Sequence, residues 1–276
     1  MPPPLIRLQN LLVRREPPVP SDIMGTAAGR FRHLRNGATV CIKVSAAQDV
    51  PYPFCVSRAF VAQVVAEIRQ ANPCLRILLT EGGVGKQPVC ETAERHGLTT
   101  VPHTEFVDAE AGEAVYVSNP NPNPFQAGGF WLPAHWVYAD VRILLTTCKV
   151  RSHHFQRWYS GGIRNLIGLL PRSHYKLSTS RREMRSVLHQ RGTDAMIADL
   201  CSTTGKDVLT ILDGRLLARQ DEHVPMRFTQ STGRVLIMDD PYHADEAMVK
   251  ALRLPFVPPY LAMISKARLC GGHPAL

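Results

Sequence analysis

Ala38-Thr-Val-Cys-Ile-Lys-Val44, Ser57-Arg-Ala-Phe-Val-Ala-Gln-Val-Val-Ala-Glu-Ile-Arg-Gln-Ala-Asn72 and Leu75-Arg-Ile-Leu-Leu-Thr80 follow one another in the first third of the chain. The outer two are short apolar runs rich in branched residues, the signature of buried strands. The middle one repeats its apolar positions at helical spacing, with Phe60, Val64, Val65 and Ile68 on one face. A strand, helix, strand unit of this kind predicts an α/β fold: a largely parallel sheet flanked by helices, in one unit or two intimate lobes.

Upstream, residues 1–36 read as an N-terminal arm followed by a short helix from Ser21, where Ser and Asp supply capping oxygens. Residues 37–276 read as the α/β domain. A helix over 88–96 is expected to end at Gly97, followed by strands at 103–107 and 114–117. The prolines of Ser118-Asn-Pro-Asn-Pro-Asn-Pro-Phe125 cannot donate a regular ladder of hydrogen bonds, which makes 118–129 a loop and a candidate lobe boundary. The second half restarts with a strand over 141–147 and a helix from near Gly162 that carries Ile163, Leu166, Ile167 and Leu170. Helices over 182–190 and 193–202, strands over 208–212 and 235–238, a helix over 244–254 and a last short helix complete the expected order.

With 276 residues, 45% hydrophobic and 20% charged, the chain can bury a large core, and disorder is excluded as a description of the whole. Seven widely spaced cysteines, an odd number, argue for reduced thiols, and the lack of any Cys-x-x-Cys pair leaves no iron–sulfur ligand motif and no zinc ribbon. The apolar run from Leu5 to Val13 is broken by Arg7, Gln9 and Asn10, so neither a signal peptide nor a membrane span is expected, and the protein is placed in the cytoplasm. The formal charge is +9. Ten of the 32 Lys and Arg residues fall between Lys149 and Arg191, against one acidic residue, Glu183. Such a concentration calls for an anion: nucleic acid, an acidic surface or a small substrate.

Cys148-Lys-Val-Arg-Ser-His-His-Phe155, followed by Tyr159-Ser-Gly-Gly-Ile-Arg-Asn-Leu-Ile-Gly-Leu-Leu-Pro171, narrows the choice. Lys149 and Arg151 alternate just past a buried strand, with Ser152 beside them. Gly161 and Gly162 allow close approach of a ligand at the start of a helix, where free amides favour negative charge, and Arg164 and Asn165 lie in its first turn. His153 and His154 can exchange protons near neutral pH. The plain alternative is a solvated basic loop with surface histidines; the glycines and the helix start favour a binding site.

Acidic turns form a second group. Asp213-Gly214 follows one strand, and Asp239, Asp240, His243 and Asp245 follow another, dense enough in oxygen and imidazole for a divalent metal. Helix capping by Asp240 and Asp245 is the simpler account. Glu81-Gly-Gly-Val-Gly-Lys86 is no phosphate loop, because Thr80 stands where its first glycine belongs and Gln87 where Ser or Thr should follow. Cys148, next to Lys149, is a candidate nucleophile and equally a buried packing residue. Trp131, Trp136, Trp158 and the tyrosines form no aromatic ladder interleaved with the basic residues, which weakens a single-strand nucleic-acid platform.

Around these motifs, over about residues 37–272, the chain resembles a prokaryotic family known as domain of unknown function three-six-two. That family has a strand ending in Pro-Lys-Leu-Lys-Thr-His, which Lys149, Arg151, Ser152 and His153 match conservatively, with Cys148 in place of proline. Its Lys-Asn-Leu and following Gly are similar to Arg164, Asn165, Leu166 and Gly168. Its aspartate-glycine resembles Asp213-Gly214, its later acidic turn resembles Asp239, Asp240 and Asp245, and its upstream Lys-Pro-Asn is similar to Lys43-Val44-Ser45, with the asparagine lost. The resemblance adds Lys43 to the expected anion site. Some family members carry a ferredoxin segment; this chain has no comparable cysteine run. A weaker similarity links His154-Phe155 and Tyr159-Ser-Gly-Gly to the nickel-pincer lactate racemases, with Arg164 where their cofactor lysine would stand.

The expectation from residues and resemblance together is an enzyme acting on a small carboxylate or phosphate metabolite by acid/base proton transfer, isomerase-like. Lys43, Lys149, Arg151, Ser152, Gly161, Gly162, Arg164 and Asn165 would hold the anion, His153, His154 and Asp213 would carry the catalysis, and Asp239, Asp240, His243 and Asp245 would hold any divalent metal. The alternatives are a nucleic-acid-binding protein using residues 149–191 and a redox accessory protein related to iron–sulfur family members.

Overall fold

The computed structural model describes residues 16–47, 49–83, 88–152, 157–175, 192–204, 207–221, 224–229 and 233–270. β1 (Thr39–Val44), α1 (Arg58–Ala71) and β2 (Arg76–Glu81) form the expected strand, helix, strand unit. The Ser57 hydroxyl caps α1 by accepting the Phe60 amide at 3.2 Å, and the apolar face of the helix is buried. The segment ahead of β1 is a 3-10 turn, Gly25–Phe31, rather than a helix from Ser21. The reason is local: buried Glu67 of α1 accepts the Ile23 and Met24 amides at 2.8 and 2.6 Å, so those donors are tied to α1 and the turn can start only beyond them.

α2 (Val89–Arg95) and β3 (Glu105–Asp108) follow, then a hairpin of β4 (Ala114–Ser118) and β5 (Gly129–Pro133) that forms its own two-stranded sheet. The proline-rich run is the hairpin loop. Its Phe125, Gln126 and Ala127 amides, which no ladder satisfies, donate instead to the carboxylate of Asp199 at 2.9, 2.6 and 2.8 Å. After the single turn α3 (Ala134–Val137) come β6 (Val141–Ser152), β7 (Arg157–Ser160), α4 (Gly162–Asn165) with a 3-10 turn over Leu166–Leu169, and α5 (Arg172–Tyr175). α6 (Thr193–Thr204), β8 (Val208–Asp221), β9 (Val224–Thr229), β10 (Arg234–Met238), α7 (Pro241–Ala251) and α8 (Pro259–Cys270) complete the chain. The helix expected over 182–190 lies outside the described residues.

The main sheet has the central order β3-β2-β1-β6-β8-β10, parallel from β3 to β8 with β10 antiparallel to β8, and off this path β7 and β9 pair antiparallel with β6 and β8. Side chains alternate across it. Val40, Ile42, Val44, Ile143, Leu145, Leu209 and Ile211 pack with α1 on one face, while Cys41, Leu144 and Leu212 pack with α6, α7 and α8 on the other. β6 and β8 outrun the expected strands because each gains a partner: Lys149 faces Ser160 of β7 and Ala218 of β8, and Leu217 faces Thr229 of β9. The basic stretch from Lys149 to Ser152 is thus strand, not loop. Between Thr147 opposite Asp213 and Cys148 opposite Leu217, residues Gly214, Arg215 and Leu216 bulge out of the ladder. Among the described residues, no helix is long and apolar enough to cross a membrane.

Candidate functional site

Chain order reverses between β1 and β6: β1 continues outward to β2 on one side, and the later half of the sheet begins with β6 on the other. In open α/β sheets, crevices form at such a switch point, beyond the carboxyl ends of the strands. A cavity of about 330 Å³ lies there, walled by Lys43 and Ser45 at the end of β1, Glu81 at the end of β2, Thr146 and Lys149 of β6, and Arg164, Asn165 and Gly168 beyond β7. Its size suits a small metabolite.

Lys43 alternates onto the face that carries Cys41 and is fully buried. Its ammonium is ion-paired with Glu81 Oε1 at 2.6 Å and donates to Asn165 Oδ1 at 2.9 Å and to the Val44 carbonyl at 2.8 Å. The Glu81 carboxylate in turn accepts the Ala46 and Gly82 amides, each at 2.8 Å. Both charges are therefore met by defined partners, the condition under which a buried pair is tolerated. Gly168 is required beside them: a Cβ there would collide with Glu81 Oε1 and crowd Lys43 Nζ.

Lys149 is compensated differently. Protein encloses it on most sides while part of its surface opens on the cavity, and among the described residues its ammonium has one hydrogen-bond partner, the neutral Ser45 hydroxyl at 3.1 Å. Burial holds its pKa below the usual lysine range, against the opposing pull of Cys55, Glu81 and Cys148. Arg164, the third cation, lies at the first turn after β7 with Nη1 at 3.8 Å from Asp194 Oδ1. Burial depresses its pKa too, opposed by Tyr260 and Asp194, but a guanidinium remains charged. Glu81 is the one carboxylate among the described lining residues, so positive charge is in excess.

The other expected residues are placed elsewhere. The amides of Gly162 and Ile163 do bind an anion, but it is the protein's own: Asp245 of α7 accepts them at 2.6 and 3.1 Å and accepts the Tyr260 hydroxyl at 3.2 Å. Close approach is why Gly161 and Gly162 are glycines, since a Cβ at Gly161 would strike Asp245 and Tyr159, and one at Gly162 would strike Thr210. The two glycines are thus a docking point for α7, not for a ligand. Burial pushes the Asp245 carboxyl up to about 7, against the lowering effect of the two amides and of the Tyr260 and Tyr159 hydroxyls.

Asp213 is buried away from the cavity, with Oδ1 accepting Arg215 Nε at 2.9 Å and Oδ2 accepting Arg215 Nη2 at 2.7 Å inside the bulge. A carboxylate held at both oxygens by one guanidinium is an anchor, and Asp213 is not among the described residues that line the cavity. The four expected metal ligands also have other partners. Because β10 is antiparallel to its neighbour, Asp239 emerges at the far end of the sheet from the cavity, where it pairs with Arg30. Asp240 caps α7 through the Tyr242 amide at 2.6 Å and pairs with Arg268 at 2.7 Å; His243 also faces Arg268, and Asp245 is committed to Gly162 and Ile163. Among the described residues, no group of three or more His, Cys, Asp or Glu could hold a metal.

Cys148, the candidate nucleophile, is fully buried against Tyr159, and burial raises its pKa, so its thiol stays protonated. Arg151 and Ser152 lie on β6 opposite Trp158 and Arg157, while His153 and His154 fall outside the described residues. Sequence reasoning missed Cys55, Thr146 and Ser160 in the cavity wall and gave Glu81 only a minor place. The available signal for Glu81 was a lysine inside an apolar strand, Lys43, facing Thr80 one residue before an acid on the next strand.

A family model described as Domain of unknown function (DUF362) matches residues 40–250, which include every described residue of this cavity wall. Neither the curated proteins nor the solved structures gave a match, and the likeness to the lactate racemases gains no support from these comparisons.

Proposed function

The chain belongs to the DUF362 family, and from its site we propose that it is an enzyme acting on a small carboxylate- or phosphate-bearing metabolite by acid/base proton transfer, in the manner of an isomerase. One observation carries the reading: Lys43, Lys149 and Arg164, brought from three separate elements, line a single cavity with one carboxylate, Glu81, among its described lining residues. Glu81 neutralises Lys43, and Lys149 and Arg164 would meet the anion. Arg164 supplies the fixed charge and a planar fork suited to carboxylate or phosphate. Lys149 is the group whose proton is loosened by burial, the property a general acid or base needs near neutral pH. No metal is required for this division of labour. The cytoplasm, where thiols stay reduced, suits the six cysteines that are free in the described structure.

Proton exchange tests the proposal. The protein is incubated in heavy water with a panel of small 2-hydroxy, 2-oxo and phosphorylated carboxylates, and loss of carbon-bound hydrogen is followed by proton NMR. At least one compound should exchange, and Arg164→Met and Lys149→Met should each slow it by at least about a hundredfold, the lower range for loss of a positioned acid/base group. Exchange unaffected by both substitutions would remove the assignment.

A further inference from the structure

Resting on that reading, we propose that Lys149 forms a covalent imine with its substrate, and that the substrate class is therefore the 2-oxo carboxylates. The geometry separates the two lysines of the cavity. Lys43 is saturated by Glu81, Asn165 and the Val44 carbonyl, so its nitrogen is committed to the fold. Lys149 reaches the same cavity with the Ser45 hydroxyl as its hydrogen-bond partner, and among the described residues no carboxylate is ion-paired with it. Burial lowers the pKa of the Lys149 ammonium, against the pull of Cys55, Glu81 and Cys148, so the neutral amine is easier to reach there than at an exposed lysine. An amine so placed, in a cavity whose other wall presents a guanidinium, is suited to a molecule bearing a carbonyl beside a carboxylate.

The step balances without a further reactant. The Lys149 nitrogen lone pair attacks the C2 carbonyl carbon, forming the C–N bond, while the carbonyl π pair moves to oxygen. A nitrogen proton passes to that oxygen through the Ser45 hydroxyl, giving a carbinolamine. Loss of the hydroxyl together with the remaining nitrogen proton releases one water and leaves the imine. Once protonated, the imine draws electrons from the adjacent C–H bond, whose proton leaves to water; the same sequence reversed restores the lysine. Such a link supplies the electron sink that proton transfer next to a carboxylate needs, and the Lys149 amine itself provides it.

Reductive trapping decides the matter. The native protein is treated with pyruvate and cyanoborohydride at pH 7, the modified lysine is located by peptide mass spectrometry, and pyruvate binding is measured separately by calorimetry. Lys149 should acquire one reduced pyruvyl group at least about tenfold faster than exposed Lys250, since a carbonyl held beside the amine in the cavity reacts as an intramolecular partner. Lys149→Arg should abolish that adduct while still binding pyruvate. Binding without an adduct, or labelling of Lys250 at a rate equal to Lys149, overturns the imine and leaves the anion-binding reading standing. Absence of both binding and adduct overturns the two together.

Discussion

The cavity at the ends of β1, β2 and β6 and the buried carboxylates of the C-terminal half both place charge inside the protein, yet they are built on opposite principles. Asp199, Asp213 and Asp245 are each closed off. Asp199 holds the amides of the hairpin loop, Asp213 is gripped by Arg215, and Asp245 seals the start of α4. Asp199 and Asp245 tie together segments distant in sequence, and the oxygens of all three have partners supplied by the chain. The cavity differs at Lys149, whose ammonium opens on the space with the neutral Ser45 hydroxyl as its hydrogen-bond partner among the described residues. Closed charge is architecture; charge left short of partners beside an open space is what a ligand completes.

That contrast can be broken at three points. The largest effect is expected at the boundary between the two designs, the Lys43–Glu81 pair. Glu81→Gln removes the counter-charge of a fully buried ammonium and should cost about 3–5 kcal/mol in denaturant unfolding. A loss below about 1 kcal/mol would mean that the pair is solvated and the two regions are not distinct.

Next comes Asp245→Ala, which orphans the Gly162 and Ile163 amides and the Tyr260 hydroxyl and should destabilise the protein by about 1–3 kcal/mol while leaving small-anion affinity intact. Its pH dependence sharpens the point. With the native carboxyl raised to about 7 from the ordinary 3.8, the native state keeps a proton that the unfolded chain releases between those values, so this group makes stability fall as pH rises across that window. The variant should lose that component of the slope.

The smallest expected change in stability, of the opposite sign, is at Lys149. Lys149→Met replaces a poorly compensated cation with an apolar chain of similar length and should stabilise the fold by about 1 kcal/mol while abolishing turnover. Because the native ammonium is lowered, the unfolded chain holds the extra proton between the lowered value and 10.5. The gain from Met is therefore full below that window and fades as pH rises through it. A variant less stable than the parent would place Lys149 with the architectural charges.

The parallel unit from Ala38 to Thr80 was legible because strand and helix periods are local properties of apolar spacing, and its elements appear within a residue or two of the expected bounds. β6 and β8 ran long because their outer halves pair with each other and with β7 and β9, which no local pattern announces. Lys43, Lys149, Arg164 and Asn165 do meet at one cavity, since polar residues at strand ends of a parallel sheet converge on one edge. Asp239 lies away from that cavity for the complementary reason: the direction of β10 reverses its end, and direction is invisible in a run of four apolar residues. Gly161 and Gly162 were read correctly as a place of close approach, but that the approaching oxygen belongs to Asp245, more than eighty residues on, is a tertiary fact.

Anomalous diffraction from crystals of the protein soaked in selenate would test the central claim most directly, because selenate carries the charge and shape of an oxyanion and reports its own position. The account predicts a peak inside the cavity walled by Lys149 and Arg164, absent in Arg164→Met. A peak at the Gly162 amides, or selenate bound only at surface arginines with the cavity empty, would contradict it.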